Sequence, residues 1–399
     1  MIPSMGTRVG HRGLTVLFMA IFLVMMGFGI VLPVLQFYAR EVGATPVQIG
    51  LLATSYAFTQ FLFAPFWGAL SDRIGRKPVF ALGLLGYAVS FVIFGLSHKV
   101  WELFMARILG GVLSAAALPT AMAYIGDSTM EEDRGSGMGL MGAAMGLGFT
   151  IGPGIGGILG RLNLALPFFV GAALALFTLA LSWGALPEPA RRDRSAARPV
   201  RIEALRLALG GPLALFYAVT LVGAFALAGL EATYALFAQD RLHLSASSGA
   251  GAIGIVFVVV GLVQAALLGG VVGRLINTWG EDRLIRGGLV LAAVGYLLIV
   301  LTNNIATLAI YAAIAGAGHS LMRPSIASVI SKRTPAGQGL SIGIMDSFDS
   351  LGRVIGPAWG GWVYHAGPGL PYASAGVLLL LTAGVSVVAG TRGLPVQAH

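Results

Sequence analysis

The feature that most constrains this chain is a series of long apolar runs, each near the length of a bilayer-crossing helix. Runs of 18 or more apolar residues predict spanning helices. Only 10% of the 399 residues are charged, whereas soluble domains carry about 25%. A β-barrel is disfavoured because the runs do not alternate between polar and apolar residues. The sequence therefore predicts an all-α membrane protein.

We predict twelve transmembrane helices. They run at about 14–38, 47–70, 79–97, 101–125, 136–160, 164–186, 211–238, 247–272, 284–301, 304–330, 339–364 and 370–390. The first run is too long for the h-region of a signal peptide and lacks a small-residue cleavage site. We therefore interpret it as the first span.

The distribution of lysine and arginine predicts the orientation. With the N-terminus inside and the loops alternating, 18 of these residues lie on the inner side, 4 on the outer side and three within spans. The positive-inside rule then places both termini in the cytoplasm. The formal net charge of +9 needs no nucleic-acid partner, because the charges lie in loops rather than on one face.

The chain divides into two halves that repeat each other. A polar stretch rich in Pro, Arg and Ala predicts a cytoplasmic linker at 187–210, between six-helix bundles at 1–186 and 211–399. The segments 139–157 and 343–361 both fit G-x8-G-x3-G-P-x2-G-G, 204 residues apart. Two repeated six-helix halves are typical of a large class of transporters.

Several kinds of chemistry have no motif in this sequence. The chain has no cysteine, which excludes disulfides and thiolate metal sites. It has no phosphate-binding loop, so ATP is not expected to be the direct energy source. No metalloprotease or serine-hydrolase motif is present. We expect no enzyme activity, no cofactor and no metal.

Four motifs carry a family resemblance. The loop after the second span reads G-x-L-x-D-R-x-G-R-K at 68–77, and the fifth span reads G-x3-G-P-x2-G-G at 148–157. The fourth span has L-x3-R-x2-G-G at 103–111, and the first has G-x-G-x3-P-V at 27–34. These resemble motifs of the major facilitator superfamily, and the fifth-span pattern is similar to the antiporter motif of its twelve-span drug:proton exporters.

Within that superfamily the chain looks most like multidrug and quinolone exporters of the NorA and Bmr type, and next like tetracycline exporters. The tetracycline class carries an aspartate in its first span, where this chain has 24–26 Val-Met-Met. The resemblance implies export of amphipathic, often cationic compounds in exchange for protons by alternating access. The expected setting is a monomer in the inner (plasma) membrane of a prokaryote, with a small-molecule substrate, protons and the lipid bilayer as partners.

Three other functions remain open. One is a narrow-specificity exporter or flippase of a sugar, metabolite or lipid with the same fold. A second is a membrane sensor that does not transport, and a third is an importer. A broad exporter is expected to be inhibited by unrelated cations, and a narrow one only by close analogues.

The resemblance implies that the charged loop is a cytoplasmic gate. We expect Asp72 to accept hydrogen bonds from the N-terminal amides of a facing helix, Gly68 to allow close helix approach, and Asp127 to pair with Arg76 or Arg73. The alternative is a charged turn that only follows the positive-inside rule. The residues assigned to this gating motif are Gly68, Asp72, Arg73, Gly75, Arg76, Lys77 and Asp127.

The antiporter motif carries no charge. Its glycines make one helix face flat and its proline bends the helix, so the helix is suited to seal the transport path against leaks. The alternative is ordinary glycine-mediated helix packing. The residues assigned to this motif are Gly148, Gly152, Pro153, Gly156 and Gly157.

Charged residues inside spans are costly and usually functional. We interpret Glu231 as the proton-coupling carboxylate or the ligand of a cationic drug. Arg107 is predicted at a similar depth, about 10 Å below the outer face, and the alternative is a structural ion pair between the two.

Two further acids lie in the eleventh span. Asp346 is predicted near Arg323, and Asp349 is four residues from Arg353 on the same helix. A structural role is favoured for both acids, but either becomes the proton site if Glu231 is not.

Overall fold

A computed structural model describes residues 11–128, 134–188, 213–334 and 338–391. Within these ranges the regular structure is helical, with no strand. The helices are α1 (His11–Glu41), α2 (Pro46–Ile74), α3 (Arg76–Gly95), α4 (Val100–Ser114, continued as Ala117–Ser128), α5 (Arg134–Leu162), α6 (Leu166–Ala185), α7 (Ala214–Leu242), α8 (Ala246–Ala266, continued as Leu267–Val271 and Val272–Trp279), α9 (Glu281–Ile299), α10 (Ile305–Arg333), α11 (Gln338–Tyr364) and α12 (Leu370–Thr391).

The prediction of twelve spanning helices is confirmed. In the described ranges, ten helices are long and apolar enough to cross a membrane. The other two, α9 and α11, occupy the positions of the ninth and eleventh predicted spans. Both carry at least three charged side chains, which lowers their hydropathy. All twelve belong to one all-α membrane fold.

Two helices are interrupted. Helix α4 breaks at a turn formed by Ala115 and Ala116. Helix α8 contains a π-helical segment, Leu267–Val271, in which Gly270 adopts φ 151°, a conformation that favours glycine. The predicted spans ran through both positions, because apolar composition does not report where backbone hydrogen bonds change partner.

One compact unit contains the described residues of 1–45, 55–196 and 244–258. In it α1 packs against α5 and α6, and α3 packs against α4 and α6. Buried aromatic rings join these helices, with Phe94 and Phe168 stacked at 4.6 Å between centroids. Apolar burial and close ring packing stabilise this unit.

The second compact unit contains the described residues of 46–54, 197–243 and 259–399. In it α7 packs against α11 and α12, and α9 packs against α10 and α12. These pairings are the ones found in the first unit, moved along the chain by six helices. The predicted two-repeat architecture is therefore confirmed.

The predicted domain boundaries remain a prediction. Of the linker at 187–210, only residues 187 and 188 are described. The compact units do not follow a single cut in the sequence, because the first turns of α2 and of α8 each belong to the unit of the other half.

Candidate functional site

The first candidate site lies at the junction of α2 and α3, where Arg76 has three side-chain partners. Its guanidinium contacts Asp72 Oδ1 at 2.5 Å and Asp127 Oδ2 at 3.0 Å, and it donates a hydrogen bond to Ser71 Oγ at 2.5 Å. Arg76 is only 7% exposed, so these charge-assisted bonds compensate for its burial. The expected pairing of Asp127 with Arg76 is present. We call these four residues the Arg76 cluster.

Glu188, which follows α6, was not identified from the sequence. Its Oε1 accepts a hydrogen bond from the backbone N–H of Arg76 at 2.5 Å, and its Oε2 accepts one from Lys77 at 3.1 Å. Gly75, just before α3, has φ 113°, and a Cβ there would lie 2.7 Å from Glu188 Oε1. The available sequence signal was an acid between two prolines directly after a span.

The other residues of the gating motif differ in their surroundings. Lys77 Nζ lies 5.1 Å from the ring centroid of Trp183 in α6, and Arg73 is exposed. Gly68 was expected to let helices approach, but a Cβ placed there would have open space among the described residues. In this structure its small size is therefore not needed for packing.

The second candidate site is the glycine face of α5. A Cβ on Gly148 or Gly152 would lie 2.6–2.8 Å from backbone atoms of α1, and one on Gly156 would lie 2.0 Å from the carbonyl oxygen of Ile30. A Cβ on Gly157 would meet the start of α8, 2.9 Å from the carbonyl oxygen of Ala250. Real Cβ atoms essentially never lie this close, so the motif allows backbone-to-backbone helix packing.

The repeat of this motif in α11 makes equivalent contacts. A Cβ on Gly352 or Gly356 would lie 2.5 or 2.3 Å from carbonyl oxygens of α7, and one on Gly361 would lie 2.5 Å from that of Pro46 at the start of α2. The antiporter motif and its copy therefore both act as packing surfaces. This finding adds to the packing interpretation and leaves the sealing role as a prediction.

The Arg76 cluster also has a counterpart, with the charges reversed. Gly280 has φ 77° and precedes α9, as Gly75 precedes α3. Glu281 accepts hydrogen bonds from Lys332 Nζ at 2.5 Å and Ser328 Oγ at 2.9 Å, and Asp282 pairs with Arg333 at 3.3 Å. Burial raises the pKa of Glu281, but these hydrogen bonds outweigh it and hold the pKa below its ordinary value.

Arg107 is a buried cation with aromatic neighbours. It is 8% exposed, and its guanidinium carbon lies 5.2 Å from the ring centroids of both Tyr56 and Phe94. Its Nε has no hydrogen-bond partner among the described residues. Contact with ring faces provides part of the electrostatic stabilisation that water would otherwise give.

Glu231 is half-buried in α7, and the charges that act on it within its own unit are those of Arg353 and Asp349. It lies eleven residues before the end of α7 at Leu242, and Arg107 lies seven residues after the start of α4. A Glu231–Arg107 pair would join the two compact units and stays a prediction.

The acids of α11 have the expected neighbours. Arg353 Nε contacts Asp349 Oδ2 at 2.9 Å, as their spacing predicts. Asp346, for its part, has Arg323 of α10 as its main charged neighbour. Arg353 also acts electrostatically on Glu231. In the parts of the chain that the structure describes, no cluster of histidine and acidic residues could hold a metal ion.

The comparisons with known proteins agree with this architecture. Residues 17–270 and 250–396 match the Major Facilitator Superfamily. The chain belongs to this superfamily. Its similarity to Multidrug resistance protein 1 of Bacillus subtilis (strain 168) is 32% identity over 368 residues, covering 92% of this chain and 94% of the relative. Quinolone resistance protein NorA of Staphylococcus aureus (strain COL) is 27% identical over 385 residues, covering 95% and 96%.

Solved structures show the same fold. A bacterial homologue of the human lysosomal transporter Spinster has a TM-score of 0.76 at 18% identity, covering 96% of this chain and 97% of its own. The human organic anion transporter MFSD10 (TETRAN) has a TM-score of 0.67 at 23% identity, covering 94% and 99%. This major facilitator protein is therefore a multi-pass membrane transporter of the superfamily that the motifs indicated, and it is not an enzyme.

Proposed function

We propose that this transporter exports amphipathic, often cationic compounds in exchange for protons. The observation that carries the proposal is Glu231, an acid eleven residues inside the end of α7 that interacts electrostatically with Arg353 and Asp349. Ionisable groups within spans are costly and usually functional. The names of the two bacterial relatives, for multidrug and quinolone resistance, support the substrate class.

The coupling follows from competition at one carboxylate. An ionised Glu231 attracts a cationic substrate, and a protonated Glu231 does not. A single carboxylate therefore cannot bind a proton and a cation favourably at the same time, so that uptake of one releases the other. Arg353 is paired with Asp349. Its positive charge also acts on Glu231 and would stabilise the ionised carboxylate when the substrate has left.

The proposed cycle is alternating access between the halves 1–186 and 211–399. The Arg76 cluster would act as the cytoplasmic gate, and the glycine face of α5 would limit leakage. The positive-inside bias supports an inner (plasma) membrane location with both termini in the cytoplasm. We further propose that the monomer is the working unit.

Everted membrane vesicles test the coupling directly. We expect ethidium to dissipate an imposed pH gradient in vesicles that contain the native protein and to leave it intact with Glu231→Gln, because the amide cannot exchange a proton. The gradient is followed with a fluorescent pH probe. Glu41→Gln, an exposed acid at the end of α1, is the matched control and should behave like the native protein.

Two outcomes would contradict parts of the proposal. If Glu231→Gln responds like the native protein, the proton site is elsewhere, and Asp346→Asn and Asp349→Asn identify which acid carries it. If a panel of unrelated cations produces no response in the native protein, multidrug export fails. A narrow exporter of a sugar, metabolite or lipid then becomes the better account.

A further inference from the structure

Helix α3 begins with an electrostatic conflict. Its first two residues are Arg76 and Lys77, and the N-terminus of a helix carries partial positive charge, where cations are unfavourable. Helix α3 has no acid in its first turn and no side-chain cap at Gly75. Its counterpart α9 has no such conflict, because it begins with Glu281 and Asp282.

Glu188 compensates for this conflict from a distance of 112 residues in sequence. Its two carboxylate oxygens accept hydrogen bonds from the first two backbone N–H groups of α3. These N–H groups have no partner within the helix. The segment that holds Glu188 is itself fixed, because the hydroxyl of Tyr124 in α4 donates a hydrogen bond to the carbonyl oxygen of Pro187 at 2.5 Å. Glu188 is thus bound to α3 while its neighbour is bound to α4.

The carboxylate acts on the same residue that organises the Arg76 cluster. Glu188 holds the backbone of Arg76, and the Arg76 side chain bridges Asp72 at the end of α2 and Asp127 at the end of α4. A shift of the α3 N-terminus would therefore move the guanidinium away from two carboxylates at once. Residues 187–188 are also the first two residues of the predicted linker and the only ones of it that the structure describes.

We propose that Glu188 is a positioning residue for the Arg76 cluster and ties the start of the linker to it. The proposal rests on the proposed gating role of this cluster. Loss of the carboxylate removes the acceptor of the first two backbone N–H groups of α3. Arg76 then samples positions in which the bridge between α2 and α4 is broken, and transport slows because the gate no longer closes at its normal rate.

A second carboxylate provides a matched control. Glu102 Oε2 accepts hydrogen bonds from the backbone N–H groups of His98 at 2.7 Å and Lys99 at 3.2 Å, at the start of α4. Glu102 therefore also binds two successive backbone N–H groups at the start of a helix, at the opposite end of the same unit and remote from Arg76. A general loss of helix capping should affect Glu102 and Glu188 variants alike.

The test compares Glu188→Gln, Glu188→Ala and Glu102→Gln in reconstituted full-length protein. We expect Glu188→Ala to lower the maximal transport rate about tenfold with a KM within about twofold of the native value. Glu188→Gln, which keeps one acceptor oxygen, should be intermediate, and Glu102→Gln should transport normally. Equal loss of rate in the Glu102 and Glu188 variants would overturn the proposal.

A labelling experiment separates this proposal from the gating role on which it rests. The chain has no cysteine, so Leu70→Cys provides a single reporter. Leu70 packs against a buried hydrophobic group that includes Trp67 and Val79. We expect Glu188→Ala and Arg76→Ala to increase its maleimide labelling rate several-fold, and Glu102→Ala to leave it unchanged. If Arg76→Ala transports normally, the gating role fails, whereas unchanged labelling in Glu188→Ala refutes the positioning role.

Discussion

At the scale of single residues, the most unusual side chain is Arg107. It is a buried cation that faces the rings of Tyr56 and Phe94, and no carboxylate contacts it within its own unit among the described residues. Planar stacking on aromatic rings is a property of the guanidinium group that an ammonium group does not share. The identity of this cation, and not only its charge, is therefore important.

We expect Arg107→Lys to lower stability even though the charge is retained. The contribution of such a contact is about 0.5–2 kcal/mol, which corresponds to a fall of a few degrees in Tm. Thermal unfolding of the purified protein in detergent measures the change. Arg274→Lys, at an exposed position, is the control, and equal Tm values for the two variants would contradict the stacking role.

At the scale of helices, the two interfaces α1–α5 and α7–α11 are formed by backbone contacts at glycines. The contacts recur at Gly148, Gly152 and Gly156 in α5, one helical turn apart, so they form a continuous seam. Other glycines of the same helix, such as Gly146, face open space. The sequence pattern alone does not separate these two groups.

Substitution by alanine should distinguish the glycines packed against α1 from those that face open space. Gly156→Ala places a Cβ 2.0 Å from the carbonyl oxygen of Ile30, and overpacking of this kind costs about 1–3 kcal/mol or more. We expect a sharp loss of monodisperse protein in size-exclusion chromatography and of transport. Gly146→Ala should match the native protein, and equal yields for both variants would refute the described packing.

The start of α9 gives a prediction about pH. Because the pKa of Glu281 is lowered in the folded state, its stabilising contribution is complete above the ordinary glutamate value of 4.5. That contribution is lost as the pH falls through the lowered value. We expect the Tm difference between the native protein and Glu281→Gln to be largest near neutral pH and to shrink as the pH falls through the lowered pKa, below the ordinary value of 4.5. A Tm difference that grows on acidification would contradict a lowered pKa of Glu281 in the folded state.

At the scale of the whole molecule, the repeat preserves geometry but not charge. Glycines with positive φ precede both α3 and α9, and an ion pair links each of these helices to the helix that follows. The first pair is Arg76 with Asp127, and the second is Glu281 with Lys332. The fold therefore accepts an ion pair with either order of charges at this position.

Exchanging the charges of the second pair tests this equivalence. Glu281→Lys and Lys332→Glu should each lower the Tm, because each places like charges together. The double variant should recover part of the loss, within the 0–1 kcal/mol typical of exposed pairs. A strictly additive double variant in a double-mutant cycle would contradict the equivalence.

The local patterns of the sequence were sufficient to predict the fold and the ion pair within α11. Apolar runs defined the twelve helices, because the bilayer imposes a length on each span. The 204-residue repeat defined two related halves, and the short spacing within α11 was enough to predict the Asp349–Arg353 pair. Each of these features depends on neighbouring positions or on direct comparison of two segments.

Only the tertiary structure decided which distant groups meet. Glu188 contacts Arg76 and Lys77 across more than a hundred residues, Glu281 pairs with Lys332, and Arg107 faces aromatic rings. The first turns of α2 and α8 also belong to the unit of the opposite half. Hydropathy and motif spacing describe the environment of a residue along its own helix. The partner across a helix interface is set by packing between segments far apart in the chain.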